Sequence, residues 1–125
     1  MSRTSAPASW TAVAGYMGLI FMLSAHSFSS PLFQNVQKFH VDKIVHIVEY
    51  SLLGFLLARA WHYSVPGWNG ARLWIAVLAV GILYAASDEF HQSFVPMRDA
   101  SVYDGVADTI GLSLGCWIRL KKRNG

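Results

Sequence analysis

The 125-residue chain predicts an all-α fold: one domain over residues 1–125, built as a four-helix transmembrane bundle with both termini in the cytoplasm. Three observations carry that expectation. Hydrophobic residues make up 54% of the sequence and charged residues only 14%, which is far more apolar than an ordinary soluble domain. Four stretches approach the roughly 20 apolar residues that a helix needs to cross the hydrocarbon of a bilayer. The acidic and basic residues also separate toward opposite ends of those stretches.

The first stretch covers about residues 10–27, with Arg3 ahead of it. A secretory signal has a similar outline, but a cut after Ala25 would place Leu23 where a small residue belongs, so the segment reads as an uncleaved helix. The second covers about 42–63, the third about 73–95 and the fourth about 103–120. Pro31, the Pro66, Gly67 and Gly70 run, and Pro96 supply helix-stopping punctuation between them. No repeat or low-complexity tract interrupts the pattern. Trp10, Trp61, Trp68, Trp74 and Trp117 fall near the span ends, as an interfacial aromatic belt would place them. Cys116 is the single cysteine and sits within the fourth span, so it reads as a small core residue, with neither a disulfide framework nor a thiolate metal cluster available.

Four spans put both termini on one side, which allows the charges to be counted by face. Arg3, Arg59, Arg72, Arg119, Lys121, Lys122 and Arg123 lie toward the terminal face, and Lys38, Lys43 and Arg98 toward the other. The excess of basic residues places the termini in the cytoplasm by the positive-inside rule. Asp42, Glu49, Asp88, Glu89, Asp99, Asp104 and Asp108, all the acids of the chain, fall toward the outer face. Three bases against seven acids leave −4 there, and the seven bases opposite complete the formal net charge of +3. The basic tail suits anionic lipid headgroups and does not point to nucleic acid.

Helix geometry gathers the polar residues into one layer. At 1.5 Å per residue, His46 and Glu49 lie about 6 to 10 Å below Asp42, Asp88 about 10 Å below the end of its helix, and Asp108 about 6 Å below Asp104. At 100° per residue, Asp42, Lys43, His46, Glu49 and Tyr50 share an arc of about 120°, and Tyr84, Asp88, Glu89 and Gln92 one of about 140°. Asp104, Asp108, Gly111 and Gly115 fall within about 60° of one another, so the acidic end of the fourth helix and its small-residue surface face inward together. Even on a lenient scale a charge near the bilayer centre costs at least about 2.5 to 3.5 kcal/mol. These acids must therefore pair with Lys43, Arg98 and His46, accept hydrogen bonds from Tyr50 and Gln92, hold an ion, or line a wet cavity.

Three blocks carry a family likeness: Asp42-Lys43-x-x-His46-x-x-x-Tyr50-x-x-Leu53-Gly54, then Glu89-x-x-Gln92-x-x-x-Pro96-x-Arg98, then Ser101-x-x-Asp104-x-x-x-Asp108-x-x-Gly111. In order and spacing they resemble the VanZ-like family of small membrane proteins, over three of the four spans. The family pattern usually has asparagine where this chain has Asp108, so a neutral hydrogen-bonding role does not carry over to that position. The resemblance implies a bacterial cell-envelope setting, in the cytoplasmic (inner) membrane, and a link to glycopeptide (teicoplanin) resistance, but no reaction.

Two functional readings follow. In the first, the layer binds or acts on a lipid-linked or cell-wall precursor with a polar head, with membrane lipids as its surroundings. Lys43 and Arg98 hold the anion. Glu89, His46, Asp88 and Asp104 are the candidate catalytic groups, with Glu89 or His46 as general base or acid. Tyr50, Gln92, Asp42 and Asp108 complete the substrate-binding set. A divalent metal ion held by Asp88, Glu89 and Asp104, with His46 as a further donor, is a variant of this reading, since carboxylates suit magnesium, calcium or manganese and histidine extends the choice to zinc. In the second reading the residues bind or shield an envelope component without chemistry, or handle protons or cations. A structural polar network locking three helices is the plain alternative. Four short helices make a small pore, and the polar residues stop short of the cytoplasmic half. His26, His40 and His62 read as interfacial and His91 as a core histidine. Oligomeric state is left open.

Overall fold

A computed structural model describes residues 5–25, 41–96 and 101–124, the side chains of residues 41, 42 and 124 excepted. Four helices account for nearly all of these: α1 Ser5–Ala25, α2 Val41–Ser64, α3 Gly70–Gln92 and α4 Val102–Asn124. Among the described residues there is no strand. The expected helices are all present, with shifted ends.

α1 begins five residues earlier than Trp10, and α3 begins at Gly70 because Asn69 caps it: the Asn69 side chain accepts from the Arg72 amide at 3.0 Å. α3 stops at Gln92, three residues short of the expected end. Pro96 explains the early stop, since the residue before a proline is pushed out of the helical region. The Phe94 and Val95 amides accordingly turn back onto the His91 and Gln92 carbonyls in tight three-residue steps.

α1, α2 and α3 are each long and apolar enough to cross a membrane. α4 has 23 residues, but its two aspartates and basic tail dilute its hydropathy. Its exposed face is nevertheless apolar from end to end: Val102, Val106, Ile110, Leu114 and Trp117 follow one another at three- and four-residue steps. The aspartates lie on its inner side, with Asp104 2% and Asp108 0% exposed. An outward apolar stripe with inward acids inverts the pattern of a soluble bundle and suits a lipid-facing helix. Ile75, Leu83 and Phe90 of α3 are likewise turned outward.

The core runs through Val13 and Ile20 of α1, Leu53 and Leu57 of α2, Val77 and Ala85 of α3, and Leu112 and Cys116 of α4. α2 and α4 share the largest interface. Glycines make that closeness feasible. A Cβ on Gly54 would lie 2.9 Å from the Leu112 Cα, and one on Gly111 would lie 2.5 Å from the Ile47 carbonyl oxygen. Gly115 is pressed still more tightly against Ser51. The Gly-xxx-Gly surface of α4 therefore seats its backbone on α2, as its spacing predicts. At the end of the bundle nearer the termini, Trp10 packs edge-on to Trp61, which stacks on Trp68, and the Trp10 indole donates to Ser64 Oγ at 2.8 Å.

Candidate functional site

The glycine seam fixes the register between α2 and α4, and that register sets the polar residues of the two helices opposite one another. One turn apart on α2, Lys43 forms an ion pair with Asp104, and His46 Nδ1 lies 2.7 Å from Asp108 Oδ1. His46 Nε2 is 3.9 Å from Asp104 Oδ1, so the imidazole sits between both aspartates of α4. One further turn along, Tyr50 reaches across to α3 and donates its hydroxyl to Asp88 Oδ2 at 3.1 Å. Gln92, one turn after Asp88, also donates to that oxygen at 3.3 Å. Its amide lies 3.3 Å from Ser24 Oγ of α1 as well. Three helices thus meet in one layer and the fourth touches it through a serine.

Adjacent acids on α3 take different roles because neighbouring helical positions point about 100° apart. Asp88 is 4% exposed and turned into the bundle. Glu89 is half-buried and turned toward α4, where its Oε2 accepts the Ser101 amide at 3.1 Å. That bond ties the start of α4 to the end of α3.

The layer is incompletely satisfied. Asp88 Oδ1, Glu89 Oε1 and Asp108 Oδ2 are buried oxygens without a hydrogen-bond partner. Such atoms are uncommon in folded proteins and mark strain, function or an unseen partner.

A groove of about 730 Å³ runs between α3 and α4. Ile82, Ala85, Phe90, Val106 and Ile110 make its walls, and Glu89 and Ser101 lie toward its polar end. From Ile82 to Ser93 its α3 wall extends about 16 Å at the helical rise. Gly105 lines it too, and a Cβ there would meet nothing within 4 Å. The groove therefore opens among outward, apolar residues and includes a carboxylate of the buried layer in its lining.

Of the ten residues singled out from the sequence, Lys43, His46, Tyr50, Asp88, Glu89, Gln92, Asp104 and Asp108 come together at this level. Arg98 and the Asp42 side chain lie outside the described residues, as do Arg3, His26, Lys38, His40 and Asp99. Glu49 is half-buried, and its backbone carbonyl accepts the Tyr16 hydroxyl at 2.7 Å. His91 stacks on Phe21 at 4.3 Å, and His62 sits beside Tyr63. Cys116 is buried and unbridged.

Three contributions from α1 were not foreseen. Ser24 meets Gln92, Tyr16 meets the Glu49 carbonyl, and the Met17 carbonyl accepts the Tyr84 hydroxyl at 2.5 Å. A serine and a tyrosine inside an otherwise apolar span were the available signal. The groove had no sequence signal, since it depends on how α3 and α4 are placed against one another.

The family model described as VanZ/LLP1 matches residues 2–120. No curated protein and no solved structure gives a significant match.

Proposed function

From a chain that belongs to the VanZ/LLP1 family and whose helices suit a membrane, we propose a protein that binds, and acts on, a lipid-linked substrate of the bacterial cell envelope. The charged head of that substrate enters the polar layer, and its hydrocarbon chain lies in the groove between α3 and α4. The observation that carries this reading is the placement of Glu89, which belongs both to the buried layer and to the lining of an apolar groove. A lipid-linked molecule has the same two-part character, polar at one end and apolar along its length.

Lys43 and Arg98 supply positive charge for an anionic head, Arg98 in a bidentate manner. Glu89 and His46 are the groups for proton transfer, and Asp108 orients the imidazole through its 2.7 Å contact. Asp88 is occupied by Tyr50 and Gln92, so these three stabilise the site and leave the reacting position to Glu89 and His46. The setting is the cytoplasmic membrane with both termini inside and the layer facing out. A role in teicoplanin tolerance follows if the substrate is a cell-wall precursor.

A structural network is the competing reading, favoured by the Lys43–Asp104 and Tyr50–Asp88 pairs that join helices. Filling the groove separates the two. Gly105 lines the groove, and a Cβ there meets nothing within 4 Å, so Gly105→Leu adds its bulk at the groove wall from an unobstructed starting point. In native mass spectrometry of gently solubilised protein, wild type is expected to retain a lipid that the variant loses, with thermal stability unchanged. Equal lipid retention by both proteins would refute occupancy of the groove.

A further inference from the structure

The layer carries more negative charge than its cations balance. Lys43 and His46 face Asp88, Glu89, Asp104 and Asp108 among the described residues, and even with Lys38 and Arg98 added from the sequence, that end of the chain holds seven acids. A bound cation is one way to relieve such an excess in a low-dielectric setting.

One place meets the requirement. His46, Glu89 and Asp108 each bring a donor atom within 4.8 Å of the other two. Asp108 is 0% exposed, and its Oδ2 has no partner although Oδ1 is engaged by the imidazole. Glu89 Oε1 is likewise without a partner, while its Oε2 is held by Ser101. Two carboxylates of the same triad therefore each keep one oxygen unsatisfied.

We propose that His46, Glu89 and Asp108 hold one divalent transition-metal ion. One imidazole nitrogen with two carboxylates is a borderline donor set that suits zinc or manganese, whereas magnesium and calcium prefer oxygen alone. Three protein donors would leave a coordination position open, and one of them, Glu89, also lines the groove. With the ion bound, His46 and Glu89 would serve as its ligands in place of the proton-transfer roles given above, and the open position would take an oxygen of the substrate head; the ion site itself stands without that reading. The triad differs from the acidic set suggested by sequence: Asp88 is turned to Tyr50 and Asp104 to Lys43, and Asp108 takes their place.

The test uses full-length protein bearing no polyhistidine tag, purified in detergent, stripped with chelator and dialysed. Titration with zinc chloride, followed by calorimetry and elemental analysis, is expected to give one ion per chain. Glu89→Gln and Asp108→Asn should each weaken binding about tenfold or more, with helicity by circular dichroism unchanged, and His91→Ala should bind as wild type does. Absence of zinc uptake by the stripped protein overturns the proposal. So does undiminished binding by Glu89→Gln, whose conservative change at a half-buried position preserves the fold even if Asp108→Asn does not. No lipid is added, so failure here leaves the lipid-retention result untouched.

Discussion

Tyr50 of α2 donates its hydroxyl to Asp88 Oδ2 of α3 across 3.1 Å, with both side chains buried. The remaining oxygen of Asp88 has no partner, so this carboxylate already holds fewer bonds than its chemistry allows. Tyr50→Phe takes away a donor and leaves Gln92 alone on Oδ2. Loss of one hydrogen bond to a charged group costs about 1.5–3 kcal/mol, at the low end here because Gln92 still donates. Thermal unfolding in detergent should therefore show a lower midpoint for Tyr50→Phe, and a midpoint equal to wild type would show that the hydroxyl is dispensable.

Gly115 and Gly105 lie on the same helix but differ in what surrounds them. A Cβ at position 115 would overlap the Ser51 carbonyl, whereas one at 105 meets nothing within 4 Å. Gly115→Ala forces α2 and α4 apart and should cost about 1–3 kcal/mol through overpacking. Gly105→Ala removes only helix-disfavouring flexibility and should be neutral or stabilising by about 0.5–1 kcal/mol. Parallel thermal melts of the two variants check the contrast.

Gly111 and Gly115 show what the sequence made legible. Their spacing with Asp104 and Asp108 placed all four on one helical face, and the structure packs that face against α2. Period and depth were enough because a helix repeats every 3.6 residues whatever its neighbours do. Pairings between helices were less accessible. That His46 meets Asp108 and not Glu89 alone, and that Asp88 turns to Tyr50, depends on the rotation and offset of α3 against α2, which no single helix encodes. Ser24 on α1 went unnoticed because a lone serine does not alter the apolar count of a span. The early end of α3 could have been read from Pro96, since its effect on the preceding residue is local.

Lys43 and Asp104 join α2 to α4 with unequal burial, the lysine side chain 30% and the aspartate 3% exposed. Breaking a fully buried pair costs about 3–5 kcal/mol, and access of solvent to Lys43 reduces this to about 2 kcal/mol for Lys43→Met. Adding Asp104→Asn removes the uncompensated charge and should return part of the loss. A double-mutant cycle by thermal unfolding is expected to give a coupling of about 0.5–3 kcal/mol. Strict additivity would mean that the two side chains do not interact in the folded protein.

Glu89 separates function from stability more sharply than any other residue of the layer. Its Oε2 accepts the Ser101 amide, and its Oε1 has no partner while the side chain lines the groove. Glutamine has the same length and keeps an oxygen for the Ser101 amide, but it carries no charge and cannot accept a proton at working pH. The substitution keeps the Ser101 bond and removes a charge whose Oε1 has no partner to lose, so little stability is at stake. Glu89→Gln should therefore melt with wild type and insert at wild-type abundance while losing any envelope phenotype, read as teicoplanin susceptibility of cells complemented with each form. Loss of the phenotype only in proportion to lost protein would assign Glu89 to the scaffold. Full retention of the phenotype would remove it from the chemistry and leave His46, held by Asp108, as the proton-handling group.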